Sequence, residues 1–403
     1  MMVGTRPRGR SACYTDHMSS KSRWLLFLVT TPLVVFVSIG GMLGASSMGR
    51  QQAFAHLRVF DDVLGLIGGN YVEPVNIDDV MDGAMRGLAE SLDPVSAYLG
   101  PEEVAAIQSN TPPPAGDTGL VVMSQFWLRV LGVRDGSPAA RAGLRTGDFI
   151  RMIDGKATRD MSGVTGARLL RGQPGSQVSL LVLRGTTVDP HVVQLTREAP
   201  TGDLVTSRKL PGGDGYVRVV SFGPGAAAAL KKQFDAVHAS GAQSAVIDLR
   251  GIADGAPEEG IAAARLFIKK GVIATLAGRD PDKTVTQAGP GDGAISMPVV
   301  LLVTNGTANA AEVFAAALQS NKRAALVGEP TTGLAAVQKL IPLPEHHGLW
   351  MTYARYLTPD GTPIHEHGLN PDVFVEAPAV AYGDTPPTTD EALDKAVERL
   401  KKK

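Results

Sequence analysis

From residue 51 onward, apolar side chains recur at three- and four-residue spacing. Phe54, Leu57, Phe60, Val63, Leu64 and Ile67 fall on one face of a helix, the pattern of a buried stripe. Gly68, Gly69 and Asn70 predict a turn. A second helix is expected from Ile77 to Ser91, with Val80, Met81, Ala84 and Leu88 inward. Thr111 to Gly116 carries Pro112, Pro113 and Pro114, which cannot continue a helix and read as a linker. Residues 50–110 are therefore expected to form an N-terminal helical region.

Between residues 116 and 199 the pattern changes to short strands and frequent turns. Ser137-Pro138-Ala139 opens a short helix, with proline at the first helical position, where its missing N–H costs nothing. Phe149 to Ile153 and Val178 to Leu183 are strand candidates. From residue 205 to 376 strands alternate with helices: Tyr216 to Phe222, Ser244 to Leu249, Pro298 to Thr304 and Ala324 to Val327 as strands, Ala226 to Ala239 and Ala310 to Ser320 as helices. Continuous apolar runs such as Pro298 to Thr304 suit central strands covered on both faces, and the alternation implies α/β organisation. Residues 377–403 form a Pro/Thr-rich linker and an amphipathic helix from Asp390 to Leu400, which Asp390 or Thr389 can cap.

Near the start the pattern is unbroken apolarity. Arg6, Arg8, Arg10, Lys21 and Arg23 lie in a basic arm (1–23), and Trp24 to Ala45 carries no charge. That run is long enough to span a hydrocarbon core of about 30 Å. The basic flank predicts a cytoplasmic N-terminus and an exported main body. The expectation is a single-pass anchor at 24–45 in the inner membrane, with a periplasmic body. The rival is a cleaved signal peptide, because small residues follow the run.

Composition narrows the chemistry. Of 403 residues, 44% are hydrophobic and the formal net charge is -1, so nothing points to nucleic acid. The only cysteine, Cys13, precedes the apolar run. That excludes an intramolecular disulfide, a thiol nucleophile in the main body and a cysteine-based zinc site. His365, Glu366 and His367 resemble half a metal site, with His346 and His347 able to approach. Solvated loop histidines are the better expectation, and no metal or cofactor is expected. Asp248 and Arg250 are read as a structural ion pair.

Several blocks carry a family resemblance. GSPAARAGLRTGDFIRMIDGK (136–156) looks like part of a PDZ domain. NYVEPVNIDDVMDGAMRGLAESLDPVSAYLGPEE (70–103), IDLRG (247–251), NGTANAAEVFAAALQ (305–319), VGEPTTGLAAVQ (327–338) and ARYLTPDGTPIHEHGLNPDV (354–373) resemble, in order, blocks of the carboxy-terminal processing proteases, peptidase family S41. The resemblance implies a multidomain α/β protein: a membrane helix, a helical region, a β-rich PDZ domain (116–199), an S41 core (205–376) and a C-terminal helix. It also implies that Gly119, Leu120, Val121 and Val122 form a loop that binds a terminal carboxylate, as a PDZ domain does when it adds a peptide strand to its sheet edge.

The family uses a serine nucleophile, activated by a lysine whose pKa is lowered by burial. By resemblance, the nucleophile stands at Asn309, the base at Leu334 and a supporting glutamine at Gln338. An amide cannot be activated as a hydroxyl can, and an isobutyl group accepts no proton. Loss of the nucleophile alone costs on the order of 10⁶ in turnover, roughly 8 kcal/mol. The turn that would supply an oxyanion donor reads Gly251-Ile252-Ala253-Asp254-Gly255; Asp254 would repel an oxyanion if it pointed inward, while Gly255 retains its N–H. Thr307 is the nearest alternative hydroxyl, without the family's base beside it. The expectation is an inactive relative that binds unstructured protein C-termini or exported polypeptides, or regulates an active S41 relative. The alternative is a serine-type endopeptidase working through an altered site.

Overall fold

The computed structural model describes residues 56–401 apart from 110, 160, 186–188, 281 and 386. The expected membrane segment at 24–45 lies outside the described residues. Among the described residues, no helix is long and apolar enough to cross a membrane.

Two compact units divide the chain, Met1–Asp82 and Gly83–Lys403. The first contains helix α1 (56–70) and the start of α2 (Ile77–Glu90). The expected turn at Gly68–Asn70 is helical instead. Asn70 donates its side-chain amide to the Leu66 carbonyl at 3.0 Å, satisfying a backbone acceptor of the last turn. The apolar stripe of α1 is only half-buried at Phe60, Leu64 and Ile67, while Leu57 and Val63 are exposed. In α2, Val80, Met81 and Ala84 are half-buried, but Leu88 is 63% exposed and Ala89 is buried instead. One residue rotates a helix by about 100°, so a pattern broad enough to place the stripe can miss its edge by one position.

Residues 97–108 depart from the expected helical region. β1 (Ala97–Leu99) precedes α3 (Pro101–Gln108) and pairs antiparallel with a strand far along the chain, at 348–350. The PDZ-like domain follows: β2 (Leu120–Gln125), β3 (Trp127–Val133), α4 (Pro138–Arg141), β4 (Phe149–Ile153), β5 (Lys156–Ala157), α5 (Gly163–Leu170), β6 (Gln177–Leu183) and β7 (His191–Thr196). Its sheet order is β2-β3-β4-β6-β7, with β5 against β4. α4 opens at Pro138 as expected, and Ser137 caps it, its hydroxyl accepting from the Ala140 N–H at 3.2 Å.

The core has two sheets. One runs β17-β14-β13-β10-β9-β8: β8 (Val205–Lys209), β9 (Gly215–Val219), β10 (Ala245–Asp248), β13 (Val299–Val303), β14 (Ala324–Gly328) and β17 (Val373–Phe374). All neighbours are parallel except β8 with β9. Helices α6 (Ala226–Ala239), α7 (Pro257–Arg265) and α8 (Ala310–Ser320) contribute to the core on one face, with Ile247, Leu301 and Val303. Val246, Val300 and Leu302 alternate to the other face, against Ala396 and Leu400 of α9 (Glu391–Lys401). This is the two-sided burial that makes such strands uniformly apolar. The second sheet, β1-β16-β11-β12 with β15 on β16, was not anticipated: β11 (Val272–Gly278), β12 (Lys283–Gln287), β15 (Ala336–Pro342) and β16 (Gly348–Leu357). β12 and β15 are largely exposed or half-exposed, so they lack the continuous apolar signal of β10 and β13.

Candidate active-site region

At the end of β13 the chain turns through residues 304–309 and enters α8. Asn309, at the helix N-cap, has φ 52° and ψ −117°. A non-glycine residue there is strained, and such strain persists only where the surroundings impose it. Its side-chain Nδ2 donates to the Gly255 carbonyl at 3.0 Å, and its backbone N–H donates to Glu312 Oε2 at 3.0 Å. Gly255 has φ +95°, and a Cβ there would overlap the Phe222 carbonyl, so glycine is required to bring that carbonyl under Asn309.

Glu312 joins Asn309 and Leu334, the two positions that the resemblance assigns to the dyad. It is wholly buried, and Oε2 also accepts from the Leu334 N–H at 2.8 Å. Oε1 accepts from the Thr331 hydroxyl at 2.5 Å and the Gly333 N–H at 2.6 Å. Thr332 donates its N–H to the Thr307 carbonyl at 3.0 Å and its hydroxyl to the Asn305 carbonyl at 2.7 Å. The 305–309 turn and the 331–334 loop are thus fastened side by side. Burial pushes the Glu312 carboxyl above its ordinary range, and its four donors pull it back without cancelling that effect. Those four donors occupy both carboxyl oxygens. Sequence reasoning did not single out Glu312 as a site residue. The Asn-x-x-Glu spacing, a variant of the capping box, was the available signal.

Leu334 is half-buried and packs into an apolar cluster of Met123 and Leu131 from the PDZ-like domain with Ala253 and Ala308 from the core. Nothing in that cluster can exchange a proton. The same junction is closed by backbone approach. A Cβ on Gly132 would lie 2.6 Å from the Gly251 carbonyl oxygen, and one on Gly306 would lie 2.5 Å from that of Leu131. Thr146 donates its hydroxyl to the Leu131 carbonyl at 2.8 Å, and Arg218 pairs with Asp135 at 2.8 Å. Beside the cluster, a cleft of about 560 Å³ opens between Asp93, Pro94, Met123, Phe126, Thr332 and Glu366.

Gln338 stands on β15 and donates to the Thr352 hydroxyl at 3.3 Å. Thr307 is buried; its hydroxyl donates to the Leu249 carbonyl at 2.9 Å and accepts from the Thr304 N–H at 3.0 Å. That hydroxyl holds the turn together and is not presented to a cleft.

Asp254 faces the PDZ-like domain. It lines a cavity of about 150 Å³ together with Gly119, Leu120, Val121, Arg134 and Arg171. Burial raises its pKa, against the Ser221 hydrogen bond and the Arg134 charge. Gly119 already gives its N–H to Asp117 Oδ1 at 2.9 Å, and Val122 packs into the core of its own domain. Of the four expected carboxylate-loop residues, Gly119, Leu120 and Val121 therefore line the cavity and Val122 does not.

The histidines differ from expectation. His365 is 3% exposed, not a solvated loop residue; its Nε2 lies 3.5 Å from Asp93 Oδ2. Burial would raise the Asp93 pKa, but the neighbouring His365 ring and hydrogen bonds from Thr352 and the Val95 and Ser96 N–H groups hold it well below the usual carboxylate range. His367 Nδ1 meets the His365 carbonyl at 2.9 Å, and His347 stacks on Tyr98. Among the described residues no three His, Cys, Asp or Glu side chains are placed to hold a metal. Buried Asp248 does pair with the half-buried Arg250, at 2.6 Å, and Arg250 also reaches Asp390 at 2.8 Å.

A model of peptidase family S41 matches residues 214–375, and a PDZ model matches 129–184. A carboxy-terminal-processing protease of Bartonella bacilliformis is 30% identical over 353 residues, covering 85% of this chain and 81% of its own length. The chain belongs to the carboxy-terminal processing proteases. A member from Synechocystis is 32% identical over 325 residues, covering 79% of this chain and 76% of its own length. The solved photosystem II D1 C-terminal processing protease is 30% identical, with a TM-score of 0.65, and covers 76% of this chain and 84% of its own. In this carboxy-terminal processing protease homologue, the blocks at 305–312 and 331–334 meet through Glu312, with an amide and an isobutyl group at the two positions the resemblance assigns to the dyad.

Proposed function

We propose that this chain is a catalytically degenerate carboxy-terminal processing protease, anchored in the inner membrane with a periplasmic body. It binds the unstructured C-termini of exported polypeptides through its PDZ domain, or regulates an active relative. The observation that carries this reading is the environment of Leu334: the position the resemblance assigns to the family's base is filled by a half-buried side chain packed against Met123, Leu131, Ala253 and Ala308. The nucleophile position gives its amide to Gly255, and the nearby Thr307 hydroxyl is spent on Leu249. No nucleophile–base pair is assembled among these groups, which the family chemistry requires.

The deciding experiment offers a labelled, unfolded polypeptide to the parent protein, to Asn309→Ala and to the double variant Asn309→Ser/Leu334→Lys. In parallel, binding of a C-terminal peptide is compared with binding of its amidated form. The reading expects no cleavage by the parent or Asn309→Ala, some cleavage by the double variant, and binding that needs the free carboxylate. Cleavage by the parent that Asn309→Ala abolishes would overturn it.

A further inference from the structure

We infer that Asn309 is a site of self-modification, in which the Ala310 backbone nitrogen closes on the Asn309 side-chain amide to give a succinimide that opens to aspartate and isoaspartate. The ring contains the Ala310 nitrogen and the Asn309 carbonyl carbon, Cα, Cβ and Cγ. Closure needs Cβ and the Ala310 nitrogen nearly eclipsed about the Cα–C bond. At an L-residue Cβ lies about −120° from the backbone nitrogen in that projection. A ψ of −117° therefore brings the two into register. Helical and extended residues, with ψ near −42° or about +135°, hold them apart. The strained turn has already set one of the torsions of the ring, and rotation about Cα–Cβ brings Cγ over the nitrogen. Fixing reactive geometry in advance lowers the barrier to an intramolecular step.

Two features of the surroundings act in the same direction. Ala310 is the first residue of α8, so its N–H has no acceptor within the helix. The positive end of the helix dipole favours negative charge on that nitrogen and on the oxygen of the tetrahedral adduct. That oxygen, Asn309 Oδ1, is buried without a hydrogen-bond partner, while Nδ2 is held on the Gly255 carbonyl.

The chemistry balances without an added reagent beyond water. A base removes the Ala310 N–H proton, the nitrogen bonds to Cγ, and the Cγ–Nδ2 bond breaks as ammonia leaves with a proton. Water then opens either ring carbonyl. One opening puts a carboxylate against the Gly255 carbonyl. The other lengthens the main chain by a methylene between Asn309 Cα and Ala310, at the turn that Glu312 holds. Either product disrupts the present anchoring of the turn, whether or not the protein binds peptide.

The chain carries its own control. Asn305 is followed by Gly306, the pairing that obstructs ring closure least in a flexible chain, whereas the Ala310 methyl group slows it at Asn309. The test incubates folded protein and urea-unfolded protein at mildly alkaline pH in heavy-oxygen water, then maps amide-to-acid conversion at each asparagine by tandem mass spectrometry. In unfolded protein Asn305 should lead. In folded protein the Asn309 rate should rise by about tenfold over its unfolded value, as expected for preset geometry. Ala310→Pro lacks the attacking N–H and suits the first helical position; it should abolish conversion at Asn309. Conversion at Asn309 that is slower folded than unfolded, or that persists in folded Ala310→Pro, would overturn the inference.

Discussion

Removing the Glu312 carboxylate should cost more stability than any surface change, because four donors lose one acceptor group. In Glu312→Ala the Thr331 hydroxyl can turn elsewhere, but the N–H groups of Asn309, Gly333 and Leu334 remain in a buried site. An unsatisfied buried donor costs about 1–3 kcal/mol; with partial relief by water entering the vacated space, the expected loss is roughly 3–6 kcal/mol. Glu312→Gln keeps the shape. Its amide can donate to Thr331 Oγ1, leaving the Gly333 N–H without an acceptor, so the loss should be about 2 kcal/mol. Urea denaturation at unchanged slope measures both values. Amide exchange at Gly333 and Leu334 should accelerate before the rest of the core opens. If both variants unfold within about 1 kcal/mol of the parent, or those amides stay protected, the carboxylate is not what fastens the two segments.

The remaining expectations concern the domain junction and two carboxylates. Gly132→Ala places a methyl carbon 2.6 Å from the Gly251 carbonyl oxygen; it should loosen PDZ–core docking at a cost of about 1–3 kcal/mol, seen as faster proteolysis of the 111–115 linker, and unchanged cleavage would refute it. Asp254 has a raised pKa in the folded state, so stability falls as pH rises from the ordinary aspartate range through the raised value. Asp254→Asn should therefore melt above the parent at neutral pH, with the gap closing on acidification; a pH-independent gap counts against this. Asp93 has the opposite sign: its stabilisation is present above the ordinary aspartate range and is lost as pH falls toward its depressed value. Acid titration of melting temperature should thus be shallower for Asp93→Asn than for the parent, and parallel curves would refute it.

The sequence alone determined the elements whose signal is local. The apolar runs at 245–247 and 299–303 emerge as central parallel strands buried on both faces. The 226–239 and 310–320 helices fall at their expected bounds. Asp390 caps the last helix, its Oδ1 accepting from the Leu393 N–H at 3.0 Å. Side-chain identity also fixed the chemical nature of the positions that the resemblance assigns to the dyad, since no fold turns an isobutyl group into a base. Tertiary structure decided what depends on partners distant in sequence. β1 exists because it pairs with residues 348–350, and the half-exposed strands of the second sheet carry too little periodicity to announce themselves. His365 is buried beside Asp93, far earlier in the chain, a neighbour that no local pattern announces. Asp254 turns toward the PDZ-like loop, a direction set by packing between domains. Glu312 shows the division most clearly. Its spacing from Asn309 was legible as a helix-capping pattern, but its bonds to Thr331, Gly333 and Leu334 arise only when two loops meet, because a buried carboxylate takes its donors from whatever the fold brings within reach.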